Sequence, residues 1–129
     1  MSPLTPVTST LLFALIIGFV LQMFVGDPWV VTFALWPLGA NASIPTPDGA
    51  LAIHFAPWQL VSYSFLHGGI LHLVVNSFAL WMFGPPIERL LGRTPFAIYW
   101  FACVIGAAVA QLLTLHWTMA GEALVPTIG

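Results

Sequence analysis

From Ser9 to Val25 the chain reads STLLFALIIGFVLQMFV, an almost unbroken apolar run with Phe13, Ile16, Ile17, Phe19 and Met23, and no charged residue precedes Asp27. About 20 such residues cross a bilayer as a helix, so the run predicts a first membrane span over 9–25. A signal peptide would need a basic start and a small-x-small cleavage site; MSPLTP has no Lys or Arg, and no such site follows cleanly. Over 26–70 the pattern changes. Pro28, Pro37, Pro45, Pro47 and Pro57, with Gly39 and Gly49, interrupt a stretch that still holds Trp29, Phe33, Trp36, Phe55 and Trp58. This punctuation forbids one long helix. Aromatics among prolines suit a loop lying in the membrane interface, folded into short helical pieces. Two further apolar runs predict a second span over 71–91 and a third over 95–117, joined by the tight charged turn PPIERLLGRTP. Residues 118–129 are expected to form a loop entering a further span. In the third span Ala102, Gly106 and Ala110 recur every four residues, a small-residue stripe that lets helices pack closely. The expected fold is an all-α, polytopic membrane helix bundle: one unit over 1–129, with three spans and a long interfacial first loop.

Composition supports this reading. The 129 residues are 60% hydrophobic and only 5% charged, with a mean hydropathy of +1.00, whereas soluble domains carry roughly a quarter charged residues. The net charge of -2 comes from few groups and no basic patch exists, which excludes nucleic-acid binding. Cys103 is the single cysteine, so neither an internal disulfide nor a thiolate cluster can form, and it reads as a small buried hydrophobe. Both basic residues, Arg89 and Arg93, lie in the charged turn. The positive-inside rule then puts the 88–93 turn and the N-terminus on the cytoplasmic side of the cell (inner) membrane, with the long loop and the tail starting outside.

Against this background the stretch HGGILHLVVN, His67 to Asn76, needs an explanation. His72 and Asn76 are four apart and share one face of a helix. In hydrocarbon an unsatisfied polar group costs several kcal/mol, so the pair must face the protein interior or a water-filled cavity. Spacing alone leaves two readings open: interhelical hydrogen bonds, or donors to a developing oxyanion whose nucleophile and base come from elsewhere. His67, five before His72, falls off that face and is expected to cap the junction of loop and helix. Histidines at equal depth could ligate haem, and His72 with His116 satisfies that geometry. Zinc is disfavoured, because His67, His72 and His116 have none of its regular spacings. Ser62 and Ser64 lack a third group to orient a base and are not expected to be nucleophiles.

The run WQLVSYSFLHGGILHLVVNSFALWMFGPPIERLLG, Trp58 to Gly92, closely resembles the rhomboid family of intramembrane serine proteases. The resemblance extends to the layout: a first span, a long Trp- and Pro-rich loop, a second span opening with HxxxxHxxxN, and a charged turn before a third span. It implies that His72 and Asn76 line an active-site cavity and stabilise an oxyanion. His67 then supports the loop and second helix, and Glu88 and Arg89 are structural. Trp58 followed by Gln59 departs from the Trp-Arg pair of many members. The family's nucleophilic serine lies in a GxSG motif opening the fourth span, and its base is a histidine two spans later. Gly129, the last residue of VPTIG, resembles the first glycine of that motif. The resemblance therefore implies the N-terminal half of a serine endopeptidase, expected to be inactive alone. Its partners would be transmembrane-helix protein substrates, the lipid bilayer and a C-terminal half, and no cofactor is expected. A non-catalytic rhomboid-like membrane binding protein is the alternative, and a haem-binding electron-transfer protein a minor one.

Overall fold

The computed structural model describes residues 3–118 and 126–129. Among these, three helices are long and apolar enough to cross a membrane: α1 (Pro6–Val25), α4 (Ile70–Leu91) and α5 (Arg93–Thr118). Between α1 and α4 lie two short helices, α2 (Asp27–Phe33) and α3 (Gln59–Ser62), a 3-10 turn at Tyr63–Phe65, and an antiparallel hairpin of β1 (Ala42–Thr46) and β2 (Gly49–Ile53). The architecture is a membrane helix bundle, as the apolar pattern implies.

Each span begins earlier than the pattern suggests: at Pro6 rather than residue 9, at Ile70 rather than 71, and at Arg93 rather than 95. Proline at the first helical turn explains the first case, because its preset φ suits that position and its missing N–H costs nothing there. The hairpin was not anticipated. Pro45 stands in β1 opposite Ala50, which a two-stranded ribbon tolerates because every strand in it is an edge. Ile53, Val31 and Trp36 form a small core beneath it, joined by Ala42, Ile44 and Leu51. The loop thus has a hydrophobic centre of its own.

The charged turn is mostly helix. α4 continues through Pro85 and Pro86 to Leu91, so Glu88 and Arg89 belong to its last turns, and Gly92 alone separates α4 from α5. At φ 89° Gly92 occupies a region that side chains disfavour, while its N–H bonds the Glu88 carbonyl at 2.8 Å. The prolines are accommodated by tertiary packing: Pro85 is fully buried, and a Cβ on neighbouring Gly84 would lie 2.7 Å from the Thr8 side chain. α1 and α4 meet there without room for another carbon.

The two helices run antiparallel and are joined at that end by Glu88. Its buried carboxylate accepts hydrogen bonds from Val7 N (3.0 Å), Thr8 N (2.8 Å), Thr8 Oγ1 (2.9 Å) and the Thr5 hydroxyl. These amides open α1 and have no partner within it. A negative charge also complements the positive end of that helix. Arg89 adds a bond from its guanidinium to the Pro3 carbonyl.

α5 packs through Ala108 and Leu112 against Leu35 and Tyr63, and the Tyr63 hydroxyl donates to the Val104 carbonyl at 2.8 Å. The Ala102, Gly106 and Ala110 stripe does not take part. All three residues are exposed, and among the described residues nothing beyond its own helix backbone and chain neighbours lies within 4 Å of a Cβ placed on Gly106. Cys103, expected to be buried, is exposed on the same outward face. The close helix approaches occur instead at Gly84 and at Gly18, where a Cβ would lie 2.8 Å from the Phe65 carbonyl oxygen.

Replacing Glu88 tests the α1–α4 joint. Because hydrogen bonds to a charged group contribute about 1.5–3 kcal/mol each and do not add fully, Glu88→Ala should cost about 3 kcal/mol or more, and Glu88→Gln less. Thermal unfolding in detergent measures both. Equal stability of all three proteins would contradict the capping role.

Candidate functional site

The polar cluster lies at the other end of α4, roughly 24 Å from Glu88 at 1.5 Å of rise per residue. His67 ends the loop, Gly68 and Gly69 carry the chain into the helix, and His72 and Asn76 follow on one face of its first two turns. The chain's C-terminal residues return to this point. Leu35 and Thr127 exchange main-chain bonds (N to O 3.0 and 2.9 Å), and Gly129 N donates to the Tyr63 carbonyl at 2.8 Å. A Cβ at position 129 would stand 2.7 Å from the carbonyl oxygens of both Ser64 and Leu66, so only glycine can lie there.

Asn76 reaches this glycine: its Nδ2 donates to the Gly129 carbonyl at 3.3 Å. His72 lies one turn earlier. Its Nδ1 accepts the Gly68 N–H at 3.3 Å, so a neutral ring carries its proton on Nε2, which remains a donor. Gly68 lies between the two parts of the site, since a Cβ there would be 3.5 Å from Ile128 Cδ1 and 3.8 Å from His72 Nδ1. Both candidate donors are half-buried.

His67 behaves differently from expectation. It does not cap α4, whose N-cap is Gly69 with no side-chain bond. Nor does it point away from His72: the rings meet edge to face with centroids 5.2 Å apart, and Phe19 contacts His67 in the same manner at 6.4 Å. Helical spacing does not govern the pair, because the chain is not yet helical at Gly68. His67 is wholly buried, and among the described residues neither ring nitrogen has a hydrogen-bond partner of good geometry. Burial holds its pKa below the usual histidine value. The neighbouring His72 acts in the same direction, and the Phe65 backbone carbonyl acts against both.

The remaining sequence candidates lie elsewhere. Trp58 is half-exposed in the loop and donates from Nε1 to the Thr32 carbonyl at 2.9 Å. Glu88 and Arg89 serve the opposite end of the bundle. His116 is exposed in the last turn of α5. The hydroxyls of Ser62 and Ser64 donate to the carbonyls of Phe33 and Val61, both at 2.7 Å. Among the described residues no group of three His, Cys, Asp or Glu could hold a metal.

A Rhomboid domain model matches residues 54–129, more than half of the chain and including the whole of the site. The chain belongs to the rhomboid family. It is 34% identical over 64 residues to rhomboid protease GluP of Bacillus subtilis (strain 168), covering 50% of this chain and 13% of that protein. It is 23% identical over 108 residues to rhomboid protease GlpG of Yersinia pestis (strain Pestoides F), covering 84% of this chain and 35% of the relative. The matched stretches thus span well under two thirds of these relatives' own length. As a family, rhomboid proteases are intramembrane serine hydrolases, and this rhomboid chain is a membrane protein.

Two side-chain amides hold main-chain groups next to the candidate site and in the loop, and neither is singled out by the sequence pattern. Gln22 bonds both main-chain groups of His67: Nε2 donates to the carbonyl at 2.7 Å, and Oε1 accepts the N–H at 3.0 Å. Gln59 stands where many rhomboids have arginine. It is fully buried and uses both ends of its amide, with Oε1 accepting from Trp36 N (3.3 Å) and Ala56 N (3.2 Å) and Nε2 donating to the His54 (3.1 Å) and Thr32 (3.4 Å) carbonyls. For Gln22 a signal existed: an amide within an apolar span needs a partner.

The buried His67 ring gives a pH dependence. Because its folded pKa is lowered, the unfolded chain binds the proton more readily. The stability that His67 contributes is complete above the ordinary histidine range and is lost as pH falls through that range towards the lowered folded value. Unfolding of the wild type in detergent should therefore become easier between about pH 7 and pH 5, taking 6.5 as the ordinary value. His67→Phe should flatten that part of the profile, and an unchanged slope would refute the assignment.

Proposed function

We propose that this chain supplies the oxyanion-binding side of an intramembrane serine endopeptidase that cleaves transmembrane-helix substrates. The observation that carries the reading is the bond from Asn76 Nδ2 to the Gly129 carbonyl. It puts an amide donor beside the glycine that resembles the first residue of GxSG. The serine of that motif would stand two positions further on, close to Asn76 and to the free Nε2–H of His72. His67, Trp58, Glu88 and Arg89 act as structural support in this reading.

In the reaction, the serine oxygen attacks the scissile carbonyl while the base histidine takes its proton. The carbonyl oxygen becomes an oxyanion and accepts hydrogen bonds from Asn76 and His72. Expulsion of the amine, protonated by that histidine, leaves an acyl-enzyme, and water releases the acid. Donors already in place need no reorganisation as charge develops, which is why such groups lower the barrier. The 129 residues contain neither a GxSG motif nor a histidine after His116, so they should not cleave alone.

Two preparations test this. Reconstituted by itself, the chain should leave a model transmembrane substrate intact. Continued after Gly129 into rhomboid spans bearing GxSG and the base histidine, it should cleave that substrate, and serine-directed inhibitors should block the reaction. In that chimera Asn76→Ala should lower kcat by about 100-fold, the scale of one lost oxyanion donor. Cleavage by the 129-residue chain, or full activity of the Asn76→Ala chimera, would overturn the proposal.

We also propose that Arg89, Arg93 and the N-terminus face the cytoplasm of the cell membrane, with the hairpin outside. A cysteine replacing Thr94 in a Cys103→Ser background should react with an impermeant thiol reagent only from the cytoplasmic side, and one replacing Asp48 only from outside. The reverse labelling would invert the topology.

A further inference from the structure

Within the junction itself one side-chain bond bears on where α4 begins: His72 Nδ1 accepts the Gly68 N–H at 3.3 Å. Gly68 and Gly69 have no side chains to pack, and the N-cap residue Gly69 has none with which to cap the helix. The last residue with a side chain, His67, has a ring held by Phe19 and His72 through edge contacts rather than by hydrogen bonds. Its peptide groups, however, are both bound by one amide from another helix, 45 residues away in sequence. A carboxamide that donates to the carbonyl and accepts from the N–H of one residue fixes that residue in orientation as well as position, as a neighbouring strand would. Gln22 can do so because it lies four residues beyond Gly18, on the side of α1 that packs against the 3-10 turn.

We infer that Gln22 is a positioning residue for the His72 and Asn76 face of α4, acting through the His67 peptide and ring. The inference rests on the reading of that face as oxyanion-binding, and names the residue that aims it. Gln22 touches no reacting atom. Its effect passes from the His67 main chain to the His67 ring, and from that ring to His72 at 5.2 Å.

The test is NMR on the isotope-labelled chain in micelles, following the Asn76 side-chain amide and the His72 ring. Gln22→Leu removes both bonds and should shift both sets of signals, with exchange of the His67 amide rising on the order of tenfold, the equivalent of one net hydrogen bond. Gln22→Glu has nearly the same shape but, when ionised, cannot donate to the His67 carbonyl. Its carboxyl regains that donor when protonated, so its difference from wild type at equal pH should vanish on acidification. The titratable groups flanking the junction in sequence are His67, His72, Tyr63 and Asp27; comparison at equal pH cancels their contribution. Leu11→Ala, a core truncation nearer the start of α1, should leave the two probes in place.

The inference is overturned if Asn76 and His72 do not move in either Gln22 variant, if Leu11→Ala moves them equally, or if the Gln22→Glu difference ignores pH. Failure of the oxyanion reading is detected separately: full kcat in the Asn76→Ala chimera removes that role from the face, while the NMR shifts still decide whether Gln22 sets it.

Discussion

The first turn of a membrane helix exposes amides that water cannot easily reach, and in this chain a single carboxylate serves them. Glu88 lies 80 residues from Thr8 in sequence, yet it accepts two main-chain N–H groups and two hydroxyls at the start of α1. Its charge is tolerable there because it is multiply hydrogen-bonded and faces a helix N-terminus. The consequence is geometric. Once the end of α4 is fixed to the start of α1, the antiparallel alignment of the two helices follows, and the start of α4 must come to the end of α1, where Gln22 meets His67.

The same solution recurs wherever the backbone leaves regular structure. Gln22 satisfies the peptide groups of His67, and Gln59 satisfies four main-chain groups of the long loop, linking the region after α2 to the segment before α3. Neutral amides suit this task because each carries donors and an acceptor, and burying them incurs no ionic desolvation. At Gln59 this offers a reason why the loop can hold its shape without the arginine common among rhomboids. In a chain with only 5% charged residues, a few amides at junctions do what ion pairs do elsewhere.

Features governed by local pattern were legible in the sequence, and those governed by distant partners were not. The three spans could be read because apolar length is a local property, with errors confined to a few residues at each start. That His72 and Asn76 share a face followed from their spacing. The hairpin was hidden because proline at 45 and 47 suggested irregular structure, while its stability derives from Val31 and Trp36, outside the strands. The period of the small-residue stripe of α5 suggests a packing surface, but a period does not say which face of α5 meets the loop; Ala108 and Leu112 do. The His67 and His72 contact is not legible from helical spacing because His67 lies three residues before α4 begins at Ile70, across the non-helical Gly68 and Gly69.

What this organisation offers a reactive centre is fixed geometry. On its loop side, the segment leading to Gly129 is paired with Leu35 and with Tyr63, and no side chain could be added at 129 without striking the carbonyls of Ser64 and Leu66. On its helix side, Asn76 holds the same residue. The backbone at 129 is therefore constrained from two directions that are themselves tied together, the first through Tyr63 to α5 and the second through α4 and Gln22 to α1. In the proposed role of oxyanion donor, a displacement of about 1 Å would cost much of the effect on a developing charge, so what matters for Asn76 is less its presence than that it is kept from moving. In an apolar bundle that constraint is inexpensive, because an amide has few alternative partners to turn towards.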